Sequence, residues 1–233
     1  LGSYLTSRER DILWHEADWS HLTGAGAIAR TKRQEALASA VYTAFEEANL
    51  PFSLAYLQGA MHRVQGLLTN QYDFILMSKS AADLIVQELG NKIEIAITLE
   101  PFSYLSGYTI FTRVGGNPKE AKRIGIDPNS PDHAIVARRV FGERVEKGEA
   151  EFVELHFTKM PRAAEIGRID AFVFNIDVMD YVFNVPPVDI HDIPFDLDLA
   201  DLTRAVVLTS NNNYRMDDLL RKILHPDSLA KIQ

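Results

Sequence analysis

The sequence contains no cysteine, and this absence excludes several kinds of protein at once. Without thiols the chain has no disulfide framework, no cysteine-ligated metal site and no cysteine nucleophile. Long apolar runs are missing as well, so we predict no membrane-spanning helix. The opening residues LGSYLTSRERDILW lack the apolar core of a signal peptide. From these features we expect a cytoplasmic protein with no membrane partner.

Positive charge is also scarce. The chain has 24 Lys and Arg against 32 Asp and Glu, which gives a formal net charge of −8. Because no dense basic stretch is present, the electrostatic footprint of direct nucleic-acid binding is missing. Apolar residues make up 46% of the 233 positions, enough for a real hydrophobic core, and the length allows one large domain or two small ones.

Signature motifs of common catalytic and metal sites are absent too. The chain has no G-x-S-x-G and no phosphate-binding G-x-x-x-x-G-K-[ST] sequence. HEADW begins like a zinc-protease helix, but Trp19 stands where the second histidine belongs. The acidic stretch VDIHDIPFDLDLAD matches no calcium-loop spacing and is interpreted as a solvated crossover. We therefore predict no catalytic residues, no metal site and no cofactor.

What the chain does contain is one pattern that occurs twice. NQYDFILMSKS at 70–80 and GRIDAFVFNID at 167–177 each have a turn residue, an Asp, and a short apolar run that ends on small polar residues. Hydrophobic spacing predicts strand, helix, strand, helix, strand over 22–77, with a first strand at 22–30, and the same order over 122–175. This order requires parallel strands with right-handed crossovers. Each repeated phrase is then a helix end, a turn closed by Asp73 or Asp170, and a central buried strand.

Ligands in open α/β sheets lie beyond the carboxyl ends of the strands, where helix N-termini also point. Hydroxyl, amide and lysine side chains fall at these places, which indicates a small polar molecule with an anionic group. Lys32 and Lys79 have an alternative reading as surface lysines, and we interpret His133 as an exposed residue at a helix start rather than a general base. The candidate ligand-binding residues are Thr31, Lys32, Gly59, Ala60, Met61, Ser78, Lys79, Ser80, Asn129, Ser130, Asn175 and Asp177.

Two segments resemble the type 2 periplasmic-binding-protein fold: LPFSLAYLQGAMHRVQGLLTNQYDFILMSKSAAD, and KRIGIDPNSPDHAIVARRVF together with FVELHFTKMPRAAEIGRIDAFVFN. The start GSYL, followed by a small helix, is similar to the junction in the YhfZ family, whose members are GntR-like winged-helix transcription regulators with a C-terminal effector domain. The resemblance implies a two-lobed α/β fold with mixed, mainly parallel sheets. It also implies that DNA is bound only through a winged-helix domain upstream, a segment that this sequence does not contain.

The expected organisation is a linker helix at 1–21, a first lobe at 22–105 plus 203–233, and a second lobe at 106–202. Strands are expected to cross between the lobes near 101–109 and near 194–203. The favoured function is the effector-binding domain of a transcription regulator. A solute-binding protein and a small-molecule enzyme on the same fold are the alternatives, since a fold does not fix a function.

The same resemblance implies a homodimer, because GntR-like regulators act as dimers. A two-fold interface presents the same patch from each subunit, and aromatic residues are enriched in interface cores. The N-terminal helix around Ile12, Leu13, Trp14 and Trp19 is our candidate for this patch. The alternative is that this helix packs on its own first lobe.

Overall fold

The computed structural model describes residues 21–177, 187–193, 200–211 and 214–224, so the predicted N-terminal helix and its tryptophans lie outside the described residues. The strands are β1 (Leu22–Gly26), β2 (Phe52–Tyr56), β3 (Phe74–Ser78), β4 (Ile93–Thr98), β5 (Tyr108–Arg113), β6 (Arg123–Ile126), β7 (Glu151–Glu154), β8 (Ala171–Asn175), β9 (Val188–His191) and β10 (Ala205–Ser210). The helices are α1 (Lys32–Glu47), α2 (Ala60–Leu68), α3 (Lys79–Leu89), α4 (Pro131–Glu146), α5 (Met160–Glu165), α6 (Ala200–Thr203) and α7 (Tyr214–Ile223).

These strands form two five-stranded sheets built on the same plan. The first has the order β2-β1-β3-β10-β4 and the second the order β7-β6-β8-β5-β9. In each sheet the strands on one side of the centre pair in parallel, and those on the other side pair antiparallel. The expected α/β fold with two mixed sheets is confirmed, with parallel and antiparallel pairings in equal number among the described strands.

The repeated phrase supplies the central strand of each sheet. β3 and β8 both lie third in their sheets, and every residue of β3 is buried, as a strand covered on both faces requires. Asp73, just before β3, accepts hydrogen bonds from the backbone N–H and the hydroxyl of Thr23 at 2.8 and 3.2 Å. Asp170, just before β8, accepts from the backbone N–H of Arg123 at 2.9 Å and from its guanidinium at 2.8 Å. Each Asp therefore ties its central strand to the start of the neighbouring parallel strand.

Helices cover both faces of each sheet. On the first sheet, α1 and α7 pack on one face through residues such as Phe45 and Leu220, while α2 and α3 cover the other face. On the second sheet, α4 packs on one face through residues such as Phe141, and α5 packs on the other through Met160. The helical starts follow local sequence signals: Thr31 caps α1 by accepting from the backbone N–H of Gln34 at 3.1 Å.

Several predicted boundaries are wrong. β1 ends at Gly26 instead of continuing to residue 30, so residues 27–30 form a loop. β7 ends at Glu154, and a 3₁₀ turn follows at Phe157–Lys159. The first connection between the sheets, at 99–107, consists of turns and bends rather than a strand. Part of the second connection, at 194–199, lies outside the described residues.

Replacing Asp73 with Ala tests the hydrogen bonds that link the start of β3 to β1. The change removes an acceptor for both the backbone N–H and the hydroxyl of Thr23. Since hydrogen bonds to charged groups contribute about 1.5–3 kcal/mol, we expect the free energy of unfolding to fall by about that amount. Urea denaturation would measure it. The control Asp218→Ala changes an exposed carboxylate on α7 and should stay within about 0.5 kcal/mol of the wild type. Equal effects of the two changes would contradict the role of Asp73.

Candidate functional site

A cleft of about 720 Å³ is lined by residues from both halves of the chain. Its walls are the loops that follow the carboxyl ends of the parallel strands: β1 and β2 in the first sheet, and β6 and β7 in the second, together with the end of β8. This is the place where open α/β sheets bind ligands. The cleft is therefore the candidate functional site.

Six of the twelve candidate residues from the sequence line this cleft: Thr31, Gly59, Ala60, Asn129, Ser130 and Asn175. They follow β1, β2 and β6 or end β8, so the topology brings together residues that are far apart in the sequence. Gly59 precedes α2 with φ of 89°, a left-handed conformation that favours glycine. That turn places the start of α2 against the cleft.

The other six candidates are not among the lining residues. The Ser78 and Ser80 hydroxyls donate to a carboxylate oxygen of Asp132, at 2.6 and 2.8 Å. Lys79 pairs with Asp83 at 2.6 Å. The carboxylate of Asp177 accepts from the backbone N–H of Ser106 at 2.7 Å. The remaining two, Lys32 and Met61, are exposed on the first turns of α1 and α2.

Sequence reasoning missed several cleft residues, and the wrong strand boundaries explain part of this. Arg30 was placed inside a strand, whereas the loop at 27–30 carries it into the cleft. Tyr104 and Tyr108 lie at the connection between the sheets, where a crossing strand was expected. Arg63 lies on α2. Its position in the hydrophobic pattern of that helix did not distinguish it from a surface arginine. The cleft is consequently more aromatic and richer in arginine than the prediction.

Asp132 joins the two halves beside the cleft. It lies in the first turn of α4, in the second half, and accepts hydrogen bonds from Ser78 and Ser80 at the start of α3, in the first half. Burial raises the pKa of this carboxyl, and the serine hydrogen bonds and the positive charge of Arg63 oppose the rise without cancelling it. Ser78 caps α3 by accepting from the backbone N–H of Ala81 at 3.3 Å. The Asp132 carboxylate from the opposite half lies at the same helix N-terminus, where an anion is favourable.

Two further contacts span the cleft. The side-chain amide nitrogen of Gln58 lies 3.0 Å from the Nε2 atom of His156. The guanidinium carbon of Arg30 lies 5.2 Å from the ring centroid of Phe157, a cation–π geometry. Both contacts join a first-sheet loop to the loop after β7. Since Gln58 and His156 are solvent-exposed, this hydrogen bond is weaker than the partly buried contact at Asp132.

His133 is buried, with 4% of its surface exposed, so the expectation of an exposed helix-start residue is wrong. Its Nδ1 atom accepts a hydrogen bond from the backbone N–H of Asp127 at 3.2 Å. Burial lowers the pKa of the imidazole to about 4, although the charge of Asp127 and the backbone of Val173 act in the opposite direction. The ring is therefore neutral at physiological pH and helps to hold the loop that lines the cleft.

Asp127 shapes the same wall of the cleft. One of its carboxylate oxygens accepts from the backbone N–H of Asn129 at 3.0 Å, and the other accepts from the backbone N–H of Phe157 at 2.9 Å. The side chain thus ties the loop after β6 to the loop after β7. Because these backbone groups already occupy both oxygens, Asp127 serves the shape of the cleft.

In the described part of the chain, no group of three or more His, Asp or Glu side chains is placed to hold a metal ion. None of the helices in that part combines the length and the apolar character that crossing a bilayer requires.

The two sheets and the cleft between them define a fold class, the two-lobed α/β fold of periplasmic binding proteins. The substrate binding protein of a methionine transporter from Streptococcus pneumoniae superposes with a TM-score of 0.64 at 9% identity, and the alignment covers 91% of each chain. At that identity the likeness shows the fold alone. The expected two-lobed fold of this type is confirmed.

The particular family follows from residues 9–233, which match the model of the YhfZ C-terminal domain, and the chain belongs to that family. The uncharacterized protein YhfZ of Escherichia coli K12 is 28% identical over 232 residues, which span all of this chain and 74% of that protein. The crystal structure of YhfZ from Shigella flexneri has a TM-score of 0.77 at 26% identity, covering 97% of this chain and 93% of that one. The predicted family is confirmed.

The buried imidazole gives the stability of the fold a defined pH dependence. His133 has a pKa of about 4 in the folded chain, against about 6.5 in an unfolded one. The unfolded chain therefore binds the proton first, and stability should fall as the pH drops from about 6.5 to about 4, by up to about 1.4 kcal/mol per unit. Urea unfolding at several pH values would measure this slope.

The variant His133→Gln should flatten that slope, because it removes the group that titrates. His21→Gln is the matched control, since His21 is exposed and lies outside the cleft. The interpretation of His133 is wrong if the control flattens the slope as much as His133→Gln does.

Proposed function

We propose that this chain is the ligand-sensing domain of a transcription regulator and that a small polar or anionic metabolite binds in the cleft between its two halves. The observation that carries the proposal is the cleft of about 720 Å³, whose lining comes from five strand ends in two separate sheets. The volume lies within the range of small-molecule sites. Membership of the YhfZ C-terminal domain family supports the regulatory role.

The two sheets are proposed to be the cores of two lobes, at 22–105 plus 203–233 and at 106–202. In support, α7 packs on the first sheet, with Met216 and Leu220 in its core. A ligand held by both lobes favours the arrangement in which they are close together. Such a ligand shifts the population only by the difference between its affinities for the closed and open arrangements.

A solute-binding role is the second candidate, because the fold is shared with the substrate binding protein of a methionine transporter. The two functions predict the same cleft and differ in what the chain is attached to and where it acts. We favour the sensor, in the cytoplasm, with DNA bound through a winged-helix domain upstream. Catalysis receives less support, since His133, one of the histidines that line the cleft, is buried and accepts a hydrogen bond from the backbone.

Thermal-shift measurements with a panel of small metabolites test the binding function. A ligand at one hundred times its dissociation constant stabilises the native state by about 2.7 kcal/mol, so a binder should raise the unfolding midpoint by several degrees. Asn129→Ala should reduce the shift, because Asn129 lines the cleft and its lost hydrogen bond is worth about 0.5–1.5 kcal/mol.

Asn91→Ala is the matched control, since Asn91 is exposed at the far end of α3 and outside the cleft. It should leave the shift unchanged. A ligand whose shift responds to neither Asn129→Ala nor a second cleft variant, Asn175→Ala, binds somewhere else, and that result would contradict the cleft assignment.

Self-association is part of the proposed sensor. A regulator that binds a symmetric DNA site needs a two-fold pair of subunits, and the proposed interface includes the N-terminal helix around Trp14 and Trp19. Light scattering over a concentration series should report a dimer by the high micromolar range. The double change Trp14→Ala and Trp19→Ala should weaken it at least tenfold, since aromatic residues dominate interface energies. A monomer at every concentration would refute the homodimer.

A further inference from the structure

Arg63 on α2 is a buried cation in the wall of the cleft. Only 4% of its surface is exposed, although it lines the cleft. Its Nη1 atom donates to the backbone oxygens of Leu57 and Gly59, at 2.8 and 3.4 Å, and these bonds hold the guanidinium in place. The Nε atom is buried and has no hydrogen-bond partner among the described residues. A charged group in this state is costly unless something else compensates it.

One terminal nitrogen of the same guanidinium remains available. Within the described part of the chain, Nη2 makes no hydrogen bond, and it is not among the fully buried polar atoms without a partner. Nη2 is therefore the edge of Arg63 that reaches the open cleft. An Arg that only braced the loop before α2 would need Nη1 alone.

Two tyrosine hydroxyls add donors on the same lining. Tyr104 and Tyr108 both line the cleft, and neither hydroxyl has a hydrogen-bond partner among the described residues. Burial raises the pKa of each phenol, and for Tyr104 the nearby charge of Arg63 opposes the rise without reversing it. Both phenols accordingly stay protonated at neutral pH. They are O–H donors beside a guanidinium.

The charges of the cleft lining limit which ligands these hydrogen-bond donors can bind. The two arginines of the lining, Arg30 and Arg63, are matched by two carboxyl side chains, Asp127 and Asp132, so these four groups add no net charge. The oxygens of Asp127 and the Oδ1 atom of Asp132 are already occupied by protein donors. The carboxylate of Asp132 also acts electrostatically on Arg63, Tyr104 and Tyr108. A lining whose charges balance in this way suits a group with one negative charge better than a dianion.

We infer that Arg63, Tyr104 and Tyr108 form a subsite for the carboxylate of a small organic monoanion. The rest of that ligand would pack against the apolar part of the lining, which includes Ile28, Leu57, Phe157 and Phe174. The Nη2 atom of Arg63 would donate one charge-assisted hydrogen bond to the carboxylate, and the two tyrosine hydroxyls would donate the others. The inference rests on the proposed binding function and specifies the chemistry of the ligand.

Matched pairs of acids and amides test this subsite at constant ionic strength. The probes are butyrate against butyramide and phenylacetate against phenylacetamide, with phenylphosphate as the dianion, and the readout is the thermal unfolding midpoint over a concentration series. Within each pair the carboxylate should stabilise the chain at concentrations at least tenfold lower than the amide. Phenylphosphate should stabilise it less than phenylacetate.

The variants separate ligand binding from loop bracing. Arg63→Lys keeps the charge but loses the Nη2 donor that the backbone bonds of Nη1 hold in place, and it should weaken carboxylate binding tenfold to a hundredfold. Tyr104→Phe and Tyr108→Phe remove a single hydroxyl each and keep the test valid if the Arg63 variant folds poorly. They should weaken the carboxylates severalfold and leave the amides unchanged. The control is Arg138→Lys, at an exposed position on α4, which should change nothing.

The results distinguish a failure of the carboxylate subsite from a failure of the proposed binding function. If carboxylates and amides act alike, if phenylphosphate is the better ligand, or if the carboxylate effect survives in all three subsite variants, the inference is overturned. The proposed function then still stands if another metabolite gives a shift that depends on Asn129. If no compound of either set gives a shift that depends on the cleft residues, both the inference and the proposed function fail.

Discussion

The partly buried contact of Asp132 with Ser78 and Ser80 is the interaction on which the arrangement of the two halves depends. A carboxylate removed from water is costly unless donors surround it, and here the donors belong to the opposite half of the chain. Any movement that separates α3 from α4 would break both hydrogen bonds at once. The same contact sets the distance between the loop after β6 and the end of β3, and so fixes one side of the cleft.

The internal repeat explains why the fold could be predicted from the sequence. Asp73 and Asp170 each tie a central strand to its parallel neighbour, and in both halves a glycine lies opposite a phenylalanine in that pairing: Gly24 with Phe74, and Gly125 with Phe172. At Gly24 a Cβ atom would lie 2.6 Å from the Phe74 ring, so the side chain has no room. Hydrophobic spacing and these local features follow from short stretches of sequence, which is why the alternation of strands and helices along each half was predictable.

The site was harder to predict from the sequence than the fold, because it depends on the paths of loops and on contacts between distant segments. The position of Ser78 at a strand tip indicated a ligand contact, yet α3 begins immediately after it, and its hydroxyl donates to Asp132, 54 residues away. The hydrophobic periodicity of a sequence does not indicate a hydrogen-bond partner that lies so far along the chain. The arginines and tyrosines of the cleft were missed for the same reason: Arg30 depends on where β1 ends, and Tyr104 depends on the turns that connect the sheets.

The contacts that cross the cleft are unequal, and this inequality suggests how a ligand would be sensed. The bond between Gln58 and His156 is exposed, and exchanging it for water costs little, whereas the Asp132 contact is partly buried and involves a charge. Opening is therefore cheapest on the Gln58 side, with Asp132 near the fixed point. A ligand that binds Arg63 in the first half and Asn129 in the second would oppose that opening, because its contacts are complete only when the halves are together. The strength of the response is then set by the contacts that the open arrangement loses, and a ligand bound by one half alone would produce none.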